Sequence, residues 1–259
     1  MSYTFKDIIN SLRKVGIKNG DVVYLSGDLS LLGNFINKKK ILKSFHNAII
    51  SVIGKNGTIC FPTHTFSIIP NKKLFDLKTT PSETGVLTEY LRKIKGSVRQ
   101  YHPYSSTTCL GKYANLICKN NTKNVYGPKS PFARMIKLNT KIVNFGLEPR
   151  FCSSSVHHSE YMSNVPYRYN KVFFQEVKIG KKTKSDKFYM YVINENLKNI
   201  KRDKNIKIFN HFLKRNKIQK TKLGRGYLYS YDLKKFYLDN LIFLKKDIYG
   251  WLRVKPKKK

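Results

Sequence analysis

Asn19-Gly20-Asp21-Val22-Val23-Tyr24-Leu25-Ser26-Gly27-Asp28-Leu29-Ser30-Leu31-Leu32-Gly33 holds a turn, a short apolar strand and a polar, glycine-bearing loop. Asn-Gly marks the turn, and the unbroken Val-Val-Tyr-Leu run marks a strand buried on both faces. Upstream, Phe5, Ile8, Ile9, Leu12 and Val15 recur at helical spacing, and Gly16 closes that helix. Downstream the same order repeats. Residues 38–53 place Ile41, Phe45, Ile49 and Val52 on one helical stripe, and Asn56-Gly57 turns the chain. Thr58-Ile59-Cys60-Phe61 then reads as a second buried strand, ending in Pro62-Thr63-His64-Thr65-Phe66. Helix, strand and polar loop in repetition predict an α/β fold of three layers, with a mainly parallel central sheet and helices on both faces. In open sheets of this kind ligands sit outside the carboxyl ends of the strands, so the loop from Ser26 to Gly33 is a candidate ligand wall, and the second strand again ends in hydroxyls and an imidazole. The first loop carries no Walker or dinucleotide fingerprint.

The length of 259 residues suits one large α/β domain or two modest ones, and an apolar fraction of 41% supplies a core. No run of about twenty apolar residues is present, so no transmembrane helix is expected. The first residues, Met-Ser-Tyr-Thr-Phe-Lys-Asp, lack an apolar core of a secretory signal. Cys60, Cys109, Cys118 and Cys152 are far apart and form no C-x-x-C pair, which fits reduced thiols in a cytoplasmic protein. Lys plus Arg is 51 against 15 for Asp plus Glu, a net charge of +36. Such a surplus admits nucleic acid, an anionic surface or a phosphorylated ligand as partner. The cations are mostly Lys in a chain also rich in Asn and Ile, as an AT-rich genome encodes, and that bias accounts for most of the charge. The Lys255-Pro-Lys-Lys-Lys259 end reads as a solvated tail with weak attraction to anionic surfaces.

Chemistry concentrates in Cys152-Ser-Ser-Ser-Val-His-His-Ser-Glu-Tyr161, which follows the apolar strand Ile142 to Leu147. A helix starting at the Ser run places His157 and Glu160 three apart, on one face and within reach of each other. The helix dipole near its start favours the neutral imidazole that a general base requires.

Further blocks complete the pattern: Thr80-Pro81-Ser82 through Gly85 to Arg92, Gly96 to Arg99, His102-Pro103-x-x-Ser106, and Gly127-x-x-Ser130-Pro131. Together with Gly20-Asp21 and its Leu-Ser-x-Leu-Gly loop, Gly57-Thr to Pro62-Thr63, and His157-x-x-Glu160-Tyr161, they make the chain resemble the antibiotic N-acetyltransferase family, typified by the aminoglycoside 3-N-acetyltransferases. The blocks run in family order over roughly residues 5–170. The resemblance implies one domain over 1–259, with 1–170 as the best-matching core and 171–259 as a divergent, basic C-terminal part. Where many members carry His-Ser-Ser at the end of the first strand, this chain has Ser26-Gly27-Asp28, so the loop that positions acyl-CoA or amine is altered.

What the resemblance implies is transfer of an acetyl group from acetyl-CoA to a primary amine of an aminoglycoside or an amino sugar, by direct attack on the thioester. The acceptor would be an antibiotic, as in resistance, or a precursor of a surface glycan. His157 matches the position of the base, and Glu160 would orient it. Thr63, Thr65, Ser106, His102 and Asp28 are candidates for substrate binding, and Ser26, Ser30, Arg99 and Lys129 for the cofactor. The hydroxyl residues equally fit turns and caps, and His102 and His64 equally fit packing. His46 and His211 read as surface or core histidines, and Asp203 or Asp232 is available as a further acid. Two other chemistries use the same stretch: a Cys152–His157 acyl-enzyme, and metal ligation by His157, His158 and Glu160. Adjacent histidines rarely converge on one ion from a helix, so no metal is expected. The alternative outside catalysis is a basic protein that binds RNA or anionic surfaces on the same fold. No zinc-finger, RNP-like or basic-plus-heptad pattern points to a specific nucleic acid.

Overall fold

Thr4 opens helix α1 (Phe5–Lys14) with a capping box: its hydroxyl accepts from Asp7 N, and Asp7 accepts from Thr4 N at 2.8 Å. The computed structural model describes residues 2–69, 73–119, 122–151, 154–197 and 200–256. From α1 the chain enters strand β1 (Val22–Gly27), helix α2 (Ile41–Ile53) and strand β2 (Thr58–His64). Both strands continue past the apolar runs of the sequence into the polar loops. Helix α3 (Val86–Arg92), strands β3 (Val98–Arg99) and β4 (Ser105–Gly111), and helices α4 (Ala114–Cys118) and α5 (Pro131–Lys137) follow. Strand β5 (Lys141–Phe145) then leads to helix α6 (Val156–Met162). A hairpin of β6 (Arg168–Ile179) and β7 (Lys182–Ile193) precedes helix α7 (Ile206–Leu213), β8 (Gln219–Leu223), β9 (Gly226–Asp232) and α8 (Leu233–Lys246).

The main sheet runs β8-β9-β5-β1-β2-β4-β3. Its centre is parallel, with β1 flanked by β5 and β2. The remaining pairs, β2–β4, β4–β3, β5–β9 and β9–β8, are antiparallel. The expectation of a mainly parallel sheet therefore holds for three central strands, and the sheet as a whole is mixed. The departure lies in two segments. Ser105-Ser106-Thr107-Thr108 carries no apolar run that marks a strand, yet its hydroxyl-bearing residues pair with β2 from His64↔Ser105 to Thr58↔Gly111. The basic C-terminal part supplies β8 and β9, which complete one edge of the sheet rather than packing beside it.

Alternation along the strands sorts the core. Val23, Leu25, Ile59, Phe61, Val143 and Phe145 pack with residues of α1, α2 and α3. Val22, Tyr24, Cys60, Cys109 and Ile142 join a second cluster with residues of α4 to α8. The β6–β7 hairpin pairs over its whole length, from Lys182↔Ile179 to Ile193↔Arg168, and packs Val177 and Phe188 against Phe75 and Tyr101. Among the described residues no helix is long and apolar enough to cross a membrane.

Candidate active site

Helix α6 carries the His157–Glu160 pair, and residues from later segments close on it. His157 Nδ1 lies 2.6 Å from Glu160 Oε2, the contact that the three-residue spacing predicts. The other carboxylate oxygen accepts from Tyr167 Oη at 3.0 Å, and Arg168 Nε stands 2.9 Å from Glu160 Oε2. Arg202 approaches from a later segment, 4.0 Å from Glu160 Oε1 and 3.5 Å from His157 Nε2. Glu160 is fully buried, whereas a quarter of the His157 side chain remains exposed. Burial by itself would raise the Glu160 carboxyl. The hydrogen bond from His157 and the charges of His157, Arg168 and Arg202 outweigh it and hold the group at about 2. Burial lowers His157 to about 4, with Glu160 opposing and the two arginines assisting. A carboxylate facing Nδ1 places the ring proton there and leaves the Nε2 lone pair as an acceptor, with Arg202 Nη1 standing 3.5 Å from it. At neutral pH this is a neutral imidazole.

Two cavities meet beside it. The first, about 700 Å³, lies at the carboxyl ends of β1 and β2 and is lined by Ser26, Asp28, Ser30, Glu83, Thr84 and Thr88 among others. The second, about 690 Å³, is lined by Tyr104, Tyr126, His157, Arg168, Tyr191 and Val192 among others. His64, Phe66 and Ser154 border both, so the two spaces share a wall. The strand-end position of the first cavity is where ligands collect in α/β sheets.

The structure distributes the other expected site residues differently. Ser26, Asp28 and Ser30 do line the first cavity. Asp28 also caps the turn it begins, accepting from Ser30 N at 2.9 Å. Asn144 donates to Ser26 Oγ at 2.8 Å. Gly27 has φ +120°, and a Cβ there would come within 2.2 Å of the Phe145 carbonyl oxygen, so the altered loop needs glycine to lie against β5. Thr63 and Ser106 are fully buried, bonded to each other at 2.9 Å, and line neither cavity. Thr65 donates to Pro81 O at 3.0 Å. Arg99, expected near a phosphate, is instead a buried strut. It donates to Ser106 Oγ, Thr80 O, Thr63 O and Thr65 Oγ1, and burial brings its pKa to about 9. His102 is wholly buried: its Nδ1 accepts from Ser105 N at 3.1 Å and its Nε2 faces Tyr189 O at 3.2 Å. Both nitrogens are engaged, and the ring pins the β4 turn to the hairpin. Lys129 is exposed and borders neither cavity. His158 turns inward, accepting from Gly127 N and lying over Phe132.

Cys152 lies outside the described residues, and with it the Cys–His pairing. Among the described residues no group of three or more His, Cys, Asp or Glu is placed to hold a metal ion. Asp232 caps α8 by accepting from Lys235 N, and Asp203 accepts from Lys207 N. Sequence reading missed Tyr167, Arg168, Arg202, Tyr126 and the β7 segment Met190 to Ile193. No motif or short spacing joins them to His157; the hairpin brings in Arg168 and the β7 segment, and the strand pair Lys201–Arg202 with Leu252–Val254 brings in Arg202.

Fold and site together define an α/β protein in which His157, backed by Glu160, lines a cavity that shares a wall with another at the strand ends. The family model described as aminoglycoside 3-N-acetyltransferase matches residues 26–238, well over half of the chain. The chain belongs to that family. Aminoglycoside N(3)-acetyltransferase VII of Streptomyces paromomycinus is 24% identical over 178 residues, 61% of this chain and 60% of that protein. Aminoglycoside N(3)-acetyltransferase III of Acinetobacter baumannii is 22% identical over 182 residues, 63% of this chain and 62% of that protein. The chain thus spans about three fifths of the length of the curated relatives it matches. Among solved structures, AAC-IIIb as a binary complex with CoASH superposes with a TM-score of 0.82 at 17% identity, covering 99% of this chain and 100% of that one. AAC-VIa bound to sisomicin gives 0.81 at 18%, covering 95% and 98%. The likeness to these structures is one of fold.

Proposed function

We propose that the protein is an acetyl-CoA-dependent N-acetyltransferase acting on a primary amine of an aminoglycoside or amino-sugar acceptor, with His157 as general base. The observation that carries this reading is the His157 Nε2 lone pair, set by the Nδ1 contact to Glu160, on the wall of one cavity beside its junction with another. Acetyl-CoA supplies the acetyl group as a thioester. The first cavity, with its hydroxyls and no lysine or arginine in its lining, fits the uncharged pantetheine arm. The second holds the acceptor, and the wall of His64, Phe66 and Ser154 is where thioester carbon and amine nitrogen come together. As the new C–N bond forms and the C–S bond breaks, His157 takes the proton the amine sheds and passes it to the departing thiolate. Glu160 supports the transient imidazolium, and Arg168 and Tyr167 hold the Glu160 carboxylate in register.

The CoASH-bound and sisomicin-bound relatives support the same pairing of ligands. Two apolar clusters from alternating strand residues support a three-layer reading of the fold. A cytoplasmic location accompanies this function, since acetyl-CoA is a cytoplasmic metabolite. The test is thiol release from acetyl-CoA with a panel of amines. The expected result is turnover that falls about 10²–10⁴-fold in His157→Ala with the circular dichroism unchanged. Undiminished turnover in that variant would remove His157 from the mechanism.

A further inference from the structure

The proposed acceptor cavity has a charge pattern that selects among amines. Of the fifteen acidic residues of the chain, none lines it, and none of the residues outside the description is acidic. Glu160 stands behind His157, fully buried and engaged by His157, Tyr167 and Arg168. Asp28 and Glu83 line the other cavity, and their carboxylates accept from Ser30 N and from Phe66 N and Ser67 N. The acceptor cavity shows instead Arg168, which pairs with Glu160 and donates to Tyr191 O at 3.3 Å, with two imidazoles and aromatic rings: Phe66 against Tyr104 at 5.6 Å, and Tyr126 against Tyr191 at 6.3 Å. Arg202 adds a second guanidinium at the His157 edge.

An aminoglycoside carries several ammonium groups, and each loses water on entering a site. Without a carboxylate to meet them, those desolvated cations are penalised. The net charge of +36 adds a long-range field that repels polycations and draws anions. We propose that the acceptor is an amino sugar bearing a phosphate ester, with one amine presented to His157 Nε2, its ring face against the aromatic walls and its anion toward Arg168 and Arg202. This rests on the acetyltransferase reading and narrows its substrate class. The bond changes are those already given: C–N forms, C–S breaks, and the amine proton leaves through His157 to the thiolate.

The experiment measures thiol release from acetyl-CoA with glucosamine 1-phosphate, uridine-diphosphate-linked glucosamine and kanamycin, alongside equilibrium binding of each to His157→Ala. At low salt, kcat/KM for the better phosphorylated probe is expected to exceed that for kanamycin by about 10²-fold, with the gap closing as salt rises. The ratio between the two phosphorylated probes tells a sugar phosphate from a nucleotide-linked sugar. Val192→Glu, which sets a carboxylate in the cavity wall, is expected to shift the ratio toward kanamycin by about tenfold. Kanamycin preferred by the wild type, in turnover or in binding, would overturn the proposal. Binding decides the matter where an unsuitable amine position blocks turnover: phosphorylated probes about tenfold tighter than kanamycin support it, and equal binding overturns it. Failure of the enzyme reading looks different, as acetyl-CoA itself would then show no binding.

Discussion

Replacing Glu160 by Gln tests how the carboxylate serves its neighbour. His157 would lose the group that raises its proton affinity, while Arg168 and Arg202 would keep theirs. The acid limb of kcat/KM should therefore move to lower pH while the plateau falls by about 10²-fold, read from a pH–rate profile. The variant also leaves Arg168, only 7% exposed, without its counter-charge, so thermal stability should fall by about 3–5 kcal/mol. Arg99 makes the opposite case. Its guanidinium bonds two backbone carbonyls and two hydroxyls and borders neither cavity. Arg99→Ala should lower the melting temperature, each stranded acceptor costing about 1–3 kcal/mol, while CoA affinity of the folded fraction by calorimetry stays the same. A residue that gripped phosphate would show the reverse. The contrast follows from context: His157 and Glu160 are three apart on one helix and their meeting is local, whereas the use of Arg99 is settled by strands β2 and β4 packing around it.

At the scale of elements, the turn after β1 is the sensitive joint. Gly27 occupies φ +120° with the Phe145 backbone directly against its Cα. Gly27→Ala should cost about 1–3 kcal/mol and push the Ser26–Ser30 wall away from β5. The expected signs are a lower melting temperature and weaker CoA binding together; weakened binding at unchanged stability would contradict the packing account. The helices and central strands were legible because their apolar residues recur at the period of the element, as in α1 and β1. Strand β4 was not, because its serines and threonines are buried by pairing with one another rather than by hydrophobicity, as Thr63 with Thr108 at 2.8 Å. The β6–β7 hairpin escaped for a related reason: most of β6 is exposed, so no clean alternation marks it.

For the molecule as a whole, four histidines, two buried and two half-buried on cavity walls, dominate the response to acid. His64, His102, His157 and His158 are each lowered to about 4, with burial the leading cause, against an ordinary value of 6.5. Between those limits the unfolded chain binds up to four more protons than the folded one, so stability falls as pH drops through that window. Glu89 and Glu160, held at about 2, extend the loss below it. Urea midpoints should therefore decline steadily from about pH 7 to about pH 5; a flat profile would show that these rings are not buried as neutral species. What the sequence determined alone was the α/β class, the His157–Glu160 pair and the loops at the strand ends. Each rests on the period of one element or a spacing within it, and such features survive in a linear string. Tertiary structure alone decided which arginines hold Glu160, that Arg99 and His102 are struts, and that no carboxylate lines the cavity beside His157. Those outcomes depend on segments far apart in the chain being brought within a few ångströms, and no local pattern of residues encodes that distance.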